Sequence, residues 1–316
     1  MIKYTLQRLV ALALTLLVIL TIAFLVIRLM PGSIYENTEL PPRLLETMEA
    51  KYRLNEPMIV QYAYFIRDIL GGDWGTSIAI RVNVPVWQVL YARIPVSLQL
   101  NIVALAIALP VGVLAGIAAA LFQNGKVDHA ISFLVVVFVS VPSFVFATLL
   151  QYTLGFRLGL FPIVYRASAE GFARYASIVM PIAALSLGPI ARVARYLRGE
   201  LIETVSSDFM LLARTKGLSL FDATLRHAMR NSLLPLANII IPMFTSILTG
   251  SLVVERIFAV AGVGGLLVNS LNASDHPLTI AILVFYSMLS LLTILIVDLS
   301  YGLIDPRVRV GGAKNE

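Results

Sequence analysis

The sequence contains no cysteine, which excludes a disulfide framework, a thiol nucleophile and any metal site built on thiolates. Charge is scarce too. Only 13% of the 316 residues are Asp, Glu, Lys or Arg, against roughly 25% in soluble domains. With 59% hydrophobic residues, the composition excludes a water-soluble domain and points to an integral membrane protein. The three histidines, His129, His227 and His276, are scattered without ligand spacing, so no metal site is expected. The sequence holds no H-E-x-x-H, G-x-S-x-G or G-x-x-x-x-G-K-[ST] pattern. That removes a zinc protease, a serine-hydrolase elbow and a phosphate loop. The chain is expected to be no enzyme and not to hydrolyse ATP itself. Its net charge of +6 is read as basic cytoplasmic loops, with no nucleic-acid partner.

What the chain has in abundance is apolar runs. The first, Leu9–Ile27, follows Lys3 and Arg8. It is longer than a signal-peptide core and no small-residue cleavage pattern follows it, so it is read as a retained transmembrane helix. Five more spans are predicted at about Leu98–Phe122, Ala130–Phe156, Ala176–Val193, Leu233–Val254 and Ile280–Val297, each near the roughly 20 residues a bilayer requires. Pro110, Pro142, Pro181, Pro189 and Pro242 fall in or near them. A proline frees a backbone carbonyl that needs a partner from a neighbouring helix or water, which favours a packed bundle lining a pathway. Gly112 and Gly116 form a G-x-x-x-G pair, a weak signal for close helix contact. The spans hold almost no ionisable residue, and ion-coupled carriers rely on such groups. Energy must come from outside the chain, or transport is passive.

The fold class expected is an all-α integral membrane protein of six transmembrane helices, with a helical extracytoplasmic insertion after the first. Residues 1–30 form the N-terminal helix and 31–94 the insertion. In the insertion, helices are predicted after Pro41-Pro42 and after Pro57, and a turn cluster at Gly71–Gly75. Residues 95–306 form a five-helix core and 307–316 a tail. Charge sets the orientation. The stretch Arg192–Arg230 carries seven Lys/Arg against four Asp/Glu, so it and both termini are placed in the cytoplasm.

Overlapping that stretch is the polar island Asp208–Pro235, the largest cytoplasmic loop in this reading. Phe209, Leu211 and Leu212, then Leu218, Phe221 and Leu225, recur at roughly helical spacing on either side of Gly217. Glycine takes the left-handed backbone that ends one helix and turns into the next. Two short amphipathic helices joined at a corner are predicted. A solvated loop and a docking element for a soluble partner both fit, and the length and apolar faces favour docking. On physical grounds a passive channel and a membrane scaffold stay open.

The island resembles the EAA loop of ABC importer permeases of the peptide/nickel group. Asp208-Phe209, Ala213-Arg214-Thr215-Lys216-Gly217-Leu218 and His227-Ala228-Met229-Arg230-Asn231-Ser232-Leu233-Leu234-Pro235 fill that pattern. The similarity extends along the chain through Leu40-Pro41-Pro42, Glu49-Ala50-Lys51-Tyr52, Pro142-Ser143-Phe144, Gly250-Ser251, Val254-Glu255, Gly262-x-Gly264 and Asp305-Pro306-Arg307. The insertion looks like that of the oligopeptide permease B subunits, and the motifs together are specific for the group but less decisive for oligopeptide over dipeptide. Departures are Met210, Leu211 and Leu212 in the loop, Ala261 before Gly262, and Ser274 and His276 near Pro277. The resemblance implies a type I importer permease carrying oligopeptides across the bacterial inner membrane after delivery by a periplasmic binding protein. Dipeptides, nickel or another ligand of the group are the alternatives. It implies a second, homologous permease subunit in a heterodimer and two ATP-binding subunits, which bind ATP and Mg. No cofactor is expected in this chain. In that reading Asp208, Ala213, Arg214, Lys216 and Gly217 couple to the ATPase. Pro142, Ser143, Phe144, Glu255, Gly262 and Gly264 are gate or pathway residues.

Overall fold

A backbone N–H or C=O in lipid finds no water, so an apolar run closes its own hydrogen bonds as a helix. The computed structural model of the chain follows that rule. It describes residues 2–29, 46, 50, 53–229, 231–232, 235–236, 239–243 and 251–304. In chain order the helices are α1 (Ile2–Leu29), α2 (Met58–Leu70), α3 (Val86–Tyr91), α4 (Ile94–Leu121), α5 (Lys126–Ser140) and α6 (Ser143–Leu150), which runs on as a π-helical turn, Gln151–Arg157. Then come α7 (Phe172–Val205), α8 (Asp208–Thr215) and α9 (Leu220–Ala223), which runs on as a second π-helical turn, Thr224–Ala228. The series ends with α10 (Leu252–Ile257), α11 (Val263–Asn272) and α12 (His276–Ile304). Among the described residues the only extended pairing is an isolated bridge between Thr76 and Pro85.

Four stretches among the described residues are long and apolar enough to cross a membrane: Thr5–Val26, Val86–Leu121, Phe172–Val205 and His276–Val297. Lys126–Ser140 with Ser143–Arg157 makes a fifth if that bent pair is one span. The expected span Leu233–Val254 lies partly outside the described residues. The expected span Ala130–Phe156 is not one rod, because the two helices meet at 103°. Pro142 causes the break. It has no N–H to offer the Phe138 carbonyl, and its ring drives the preceding residue out of the helical region. Val141 accordingly sits at φ −90°, ψ 124°.

By contacts the chain divides into two units. One consists of Met1–Pro95 and Ala261–Leu295. In it α1 and α2 are joined by the Thr21 and Tyr62 hydroxyls, 2.6 Å apart, and by Phe24 packing on the rings of Tyr62 and Phe65. Its core gathers Val86, Val89 and Leu90 of α3 with Val263 and Leu266 of α11 and Leu278, Ala281 and Ile282 of α12. Trp74 packs against this core and meets Trp87.

The other unit consists of Val96–Val260 and Ile296–Glu316. Here the G-x-x-x-G pair is a real contact. A Cβ on Gly112 would lie 2.8 Å from the Val193 Cβ, and one on Gly116 3.0 Å from the Ala194 carbonyl oxygen. The two glycines let α4 lie directly against α7. Ser186 adds a hydrogen bond from α7 to the Ala104 carbonyl of α4, 3.1 Å.

Helix α5 is fixed to α7 by an ion pair. Arg198 Nε donates to Asp128 Oδ1 at 2.6 Å and Nη2 to Oδ2 at 2.7 Å. The Asn124 N–H and the Ser132 hydroxyl also donate to this carboxylate. The Asp128 side chain is 2% exposed and that of Arg198 31%. Removing one partner of a buried pair costs about 3–5 kcal/mol, and partial hydration of Arg198 reduces this to about 2–3. Asp128→Asn is therefore expected to lower the thermal unfolding midpoint of the detergent-purified chain. The double exchange Asp128→Arg with Arg198→Asp is expected to recover part of the loss. An unchanged midpoint for Asp128→Asn would show that the pair contributes nothing.

Candidate functional site

Two features of the second unit bear on function: a corner of backbone after α7, and a cavity between its helices. The corner begins where α7 ends at Val205. Ser207, extended at φ −79°, ψ 157°, precedes α8, and its carbonyl accepts from the Met210 and Leu211 N–H groups. At the far end of α8 the Gly217 N–H donates to the Arg214 carbonyl at 3.0 Å, and the Leu218 N–H to the Ala213 carbonyl at 3.3 Å. These two bonds define a Schellman cap, which needs a left-handed residue between helix and exit. Gly217 supplies it at φ +94°. Ser219 then caps α9, its hydroxyl oxygen accepting from the Asp222 N–H at 3.0 Å. The helix–corner–helix predicted around Gly217 is present.

The faces of this corner divide sharply. Met210, Ala213, Ala223 and Ala228 are buried in one cluster with Leu197 and Leu201 of α7, and Leu218 packs against it. Phe209, Leu211, Leu212, Phe221 and Leu225 stay exposed, at 41–62%. Asp208, Arg214, Lys216 and Gly217 are exposed as well. Of the five predicted coupling residues, four thus face outward and Ala213 packs inward. Of the six apolar residues that defined the pattern in the sequence, Leu218 packs inward and the other five form an outer face.

The cavity has a volume of about 400 Å³. Helix α4 contributes Asn101 and Leu105, the α5–α6 break contributes Pro142 and Ser143, and α7 contributes Leu185, Gly188, Pro189 and Arg192. The α7 residues recur at three- and four-residue spacing, one face of a helix. Phe144, grouped with Pro142 and Ser143 in the sequence, is exposed and does not line it. Glu255 does not line it either. It is 1% exposed and accepts from the Ser97 hydroxyl at 2.7 Å, linking α10 to α4. Gly262 and Gly264 belong to the first unit, where both are buried at the start of α11. Gly262 is extended at φ −95°, ψ −173°, a conformation open to any residue.

Sequence reasoning counted Arg192 among loop charges. It lies instead inside α7, whose helix runs on past the expected boundary at Val193. The available signal was Gly188, Pro189 and Arg192 falling on one helical face.

Comparison with known proteins bears on both features. Residues 112–310 match the family described as binding-protein-dependent transport system inner membrane component, and residues 1–101 match the N-terminal membrane component of such systems. The dipeptide transport system permease protein DppB of Lactococcus lactis subsp. cremoris is 41% identical over 98% of this chain and 100% of its own length. The oligopeptide transport system permease protein OppB of Escherichia coli is 36% identical over the same shares. A solved structure of the MetNI methionine ABC transporter, inward facing, matches with a TM-score of 0.56 at 16% identity, over 70% of this chain and 98% of that one. That likeness speaks for the fold alone.

Proposed function

The chain belongs to the family of binding-protein-dependent transport system inner membrane components, and from that premise we propose that it is the multi-pass permease subunit of an ATP-driven ABC importer that moves oligopeptides inward. Relatives named for dipeptide and for oligopeptide transport both align along the whole chain, which supports peptides as the cargo class.

The observation that carries the energetic part is the exposed apolar face of the corner. Five large apolar side chains on α8, α9 and the π-helical turn that follows it lie beyond the end of a membrane-spanning helix and are presented by the Gly217 cap. Contiguous apolar surface in water marks a docking site. The occupant in this reading is an ATP-binding subunit, which binds ATP and Mg. Arg214 and Lys216 give polar contacts at the rim, and Gly217 sets the angle between the two helices. Ala213 acts from beneath, keeping α8 seated on α7 so that a push on the corner reaches the spans.

The remaining partners follow from the same reading. A periplasmic binding protein delivers the peptide, and a second, homologous permease subunit completes the pathway. In this reading the corner, where Arg214, Lys216 and Arg226 outnumber Asp208 and Asp222, lies in the cytoplasm with both termini.

The test is reconstitution of the chain with its ATP-binding subunits, companion permease and binding protein in proteoliposomes. The expected result is ATP hydrolysis stimulated by peptide-loaded binding protein, together with uptake of peptides, with a series from two to six residues defining the accepted length. Hydrolysis indifferent to the binding protein, or peptide flux without ATP, would overturn this reading in favour of a scaffold or a channel.

A further inference from the structure

Arg192 stands in the wall of the 400 Å³ cavity, on the stripe of α7 that also carries Leu185, Gly188 and Pro189. It lies thirteen residues before the end of α7 at Val205, about 20 Å along the axis at 1.5 Å per residue. Arg192 is exposed, and α7, at 34 residues, is longer than the roughly 20 a bilayer core requires, so the cation is tolerated toward the end of the span or where it faces a wet cavity or a partner charge. Among the described residues Arg192 has no ion-pair or hydrogen-bond partner, whereas Arg198, less than two turns on, is held by Asp128. No carboxylate is found among the described residues that line the cavity. The formal charge that these described residues bring to it is therefore positive, and a guanidinium offers a planar fork matched to a carboxylate.

The other polar groups can accept, and the Ser143 and Ser251 hydroxyls can donate as well. Pro189 gives no N–H to the Leu185 carbonyl, and Pro142 none to the Phe138 carbonyl. Both Leu185 and Phe138 line the cavity. The Asn101 amide nitrogen is engaged with the Ser97 carbonyl at 2.7 Å, leaving its oxygen free to accept. One cation among groups able to accept is the complement of a zwitterion whose ammonium and amide N–H groups need acceptors and whose carboxylate needs a donor.

We propose that Arg192 receives the C-terminal carboxylate of the peptide as it passes through the cavity, making the permease itself, and not only the protein that delivers the cargo, selective for a free C-terminus. This rests on the peptide reading above.

The chain's lack of cysteine allows a direct test. In the full reconstituted complex, Val139→Cys, an exposed cavity-lining position, is labelled with a maleimide and read as a mass shift of this chain alone. Trialanine is expected to slow labelling at least fivefold, and trialanine amide much less. With Arg192→Gln added, the two peptides are expected to protect equally weakly, and Arg192→Lys is expected to keep part of the difference. Uptake is measured beside it with the same binding protein, so a change in the acid-to-amide ratio between wild type and Arg192→Gln belongs to the permease. Equal protection by acid and amide in the Arg192 protein, or an unchanged difference in Arg192→Gln, would overturn the proposal. If the wild-type complex takes up no peptide of any length, the peptide reading itself fails and this inference with it.

Discussion

Gly217→Val is expected to cut ATP-driven peptide uptake at least tenfold while leaving the protein in the membrane. The argument is conformational, because space is not limiting. A Cβ built on Gly217 meets nothing within 4 Å. The backbone is what excludes valine, since at φ +94° the side chain of an L-residue crowds its own carbonyl. This costs about 1–2 kcal/mol in the left-handed region, and more for a β-branched residue. That strain is relieved by returning φ to negative values. The Gly217 and Leu218 N–H bonds that close the α8 cap are then lost, and α9 swings relative to α8. The two exposed apolar patches, Phe209, Leu211 and Leu212 on one side and Phe221 and Leu225 on the other, no longer share one surface. Because this corner lies outside the spans, insertion and helix packing in the bilayer survive. Gly217→Asn is the control, since asparagine tolerates the left-handed region far better, and it is expected to keep most of the uptake. Uptake is normalised to the amount of chain in the membrane. Wild-type uptake by the valine variant would remove Gly217 from the coupling mechanism.

The corner was legible in the sequence because its signals are local. A glycine between two short amphipathic patterns is read within a few turns of helix. Most spans were legible because twenty apolar residues leave lipid few alternatives. What the sequence did not carry was geometry across distance. Pro142 inside an apolar run predicts a disturbance, but a kink and a 103° break have the same composition. The difference lies in what the neighbouring helices offer the freed carbonyl. Pro142 and Ser143 line the cavity while Phe144 turns outward, a distinction set by the helix that begins at Ser143. Arg192 was assigned to a loop because charge density rises there, yet the helix runs on for thirteen more residues. Asp128 meets Arg198 across 70 positions, and no local pattern links them.

Asp275 is the strongest case of such long-range order, and Asp275→Ala is expected to cost about 3–5 kcal/mol. In the sequence it is one acid in a short loop. In the structure it is fully buried and gathers donors from a segment nearly 200 positions away. The Ser77 hydroxyl and the Ile78, Ala79 and Ile80 N–H groups all donate to its carboxylate, the three amides at 3.2, 3.1 and 2.9 Å. The same carboxylate accepts from the Leu278 N–H at 3.4 Å, the N-cap position of α12. One side chain thus closes the start of a spanning helix and folds the 77–80 turn onto it. Truncation to alanine strands these donors, of which those of Ser77 and Ile78 are buried and those of Ala79 and Ile80 partly so, at about 1–3 kcal/mol for each buried group left unsatisfied. The sum is kept below full additivity because the turn relaxes outward. Asp275→Asn keeps the shape and one acceptor oxygen but turns an NH2 toward the donors, so it is expected to fall between alanine and wild type. Thermal unfolding in detergent measures the loss. Limited proteolysis is expected to cut between residues 76 and 85 faster in the alanine variant, with α7 and the corner unaffected. An alanine variant that melts with the wild type and resists the protease equally would show that the turn is held by the apolar packing of Val86, Leu90 and Ile282 and not by the carboxylate.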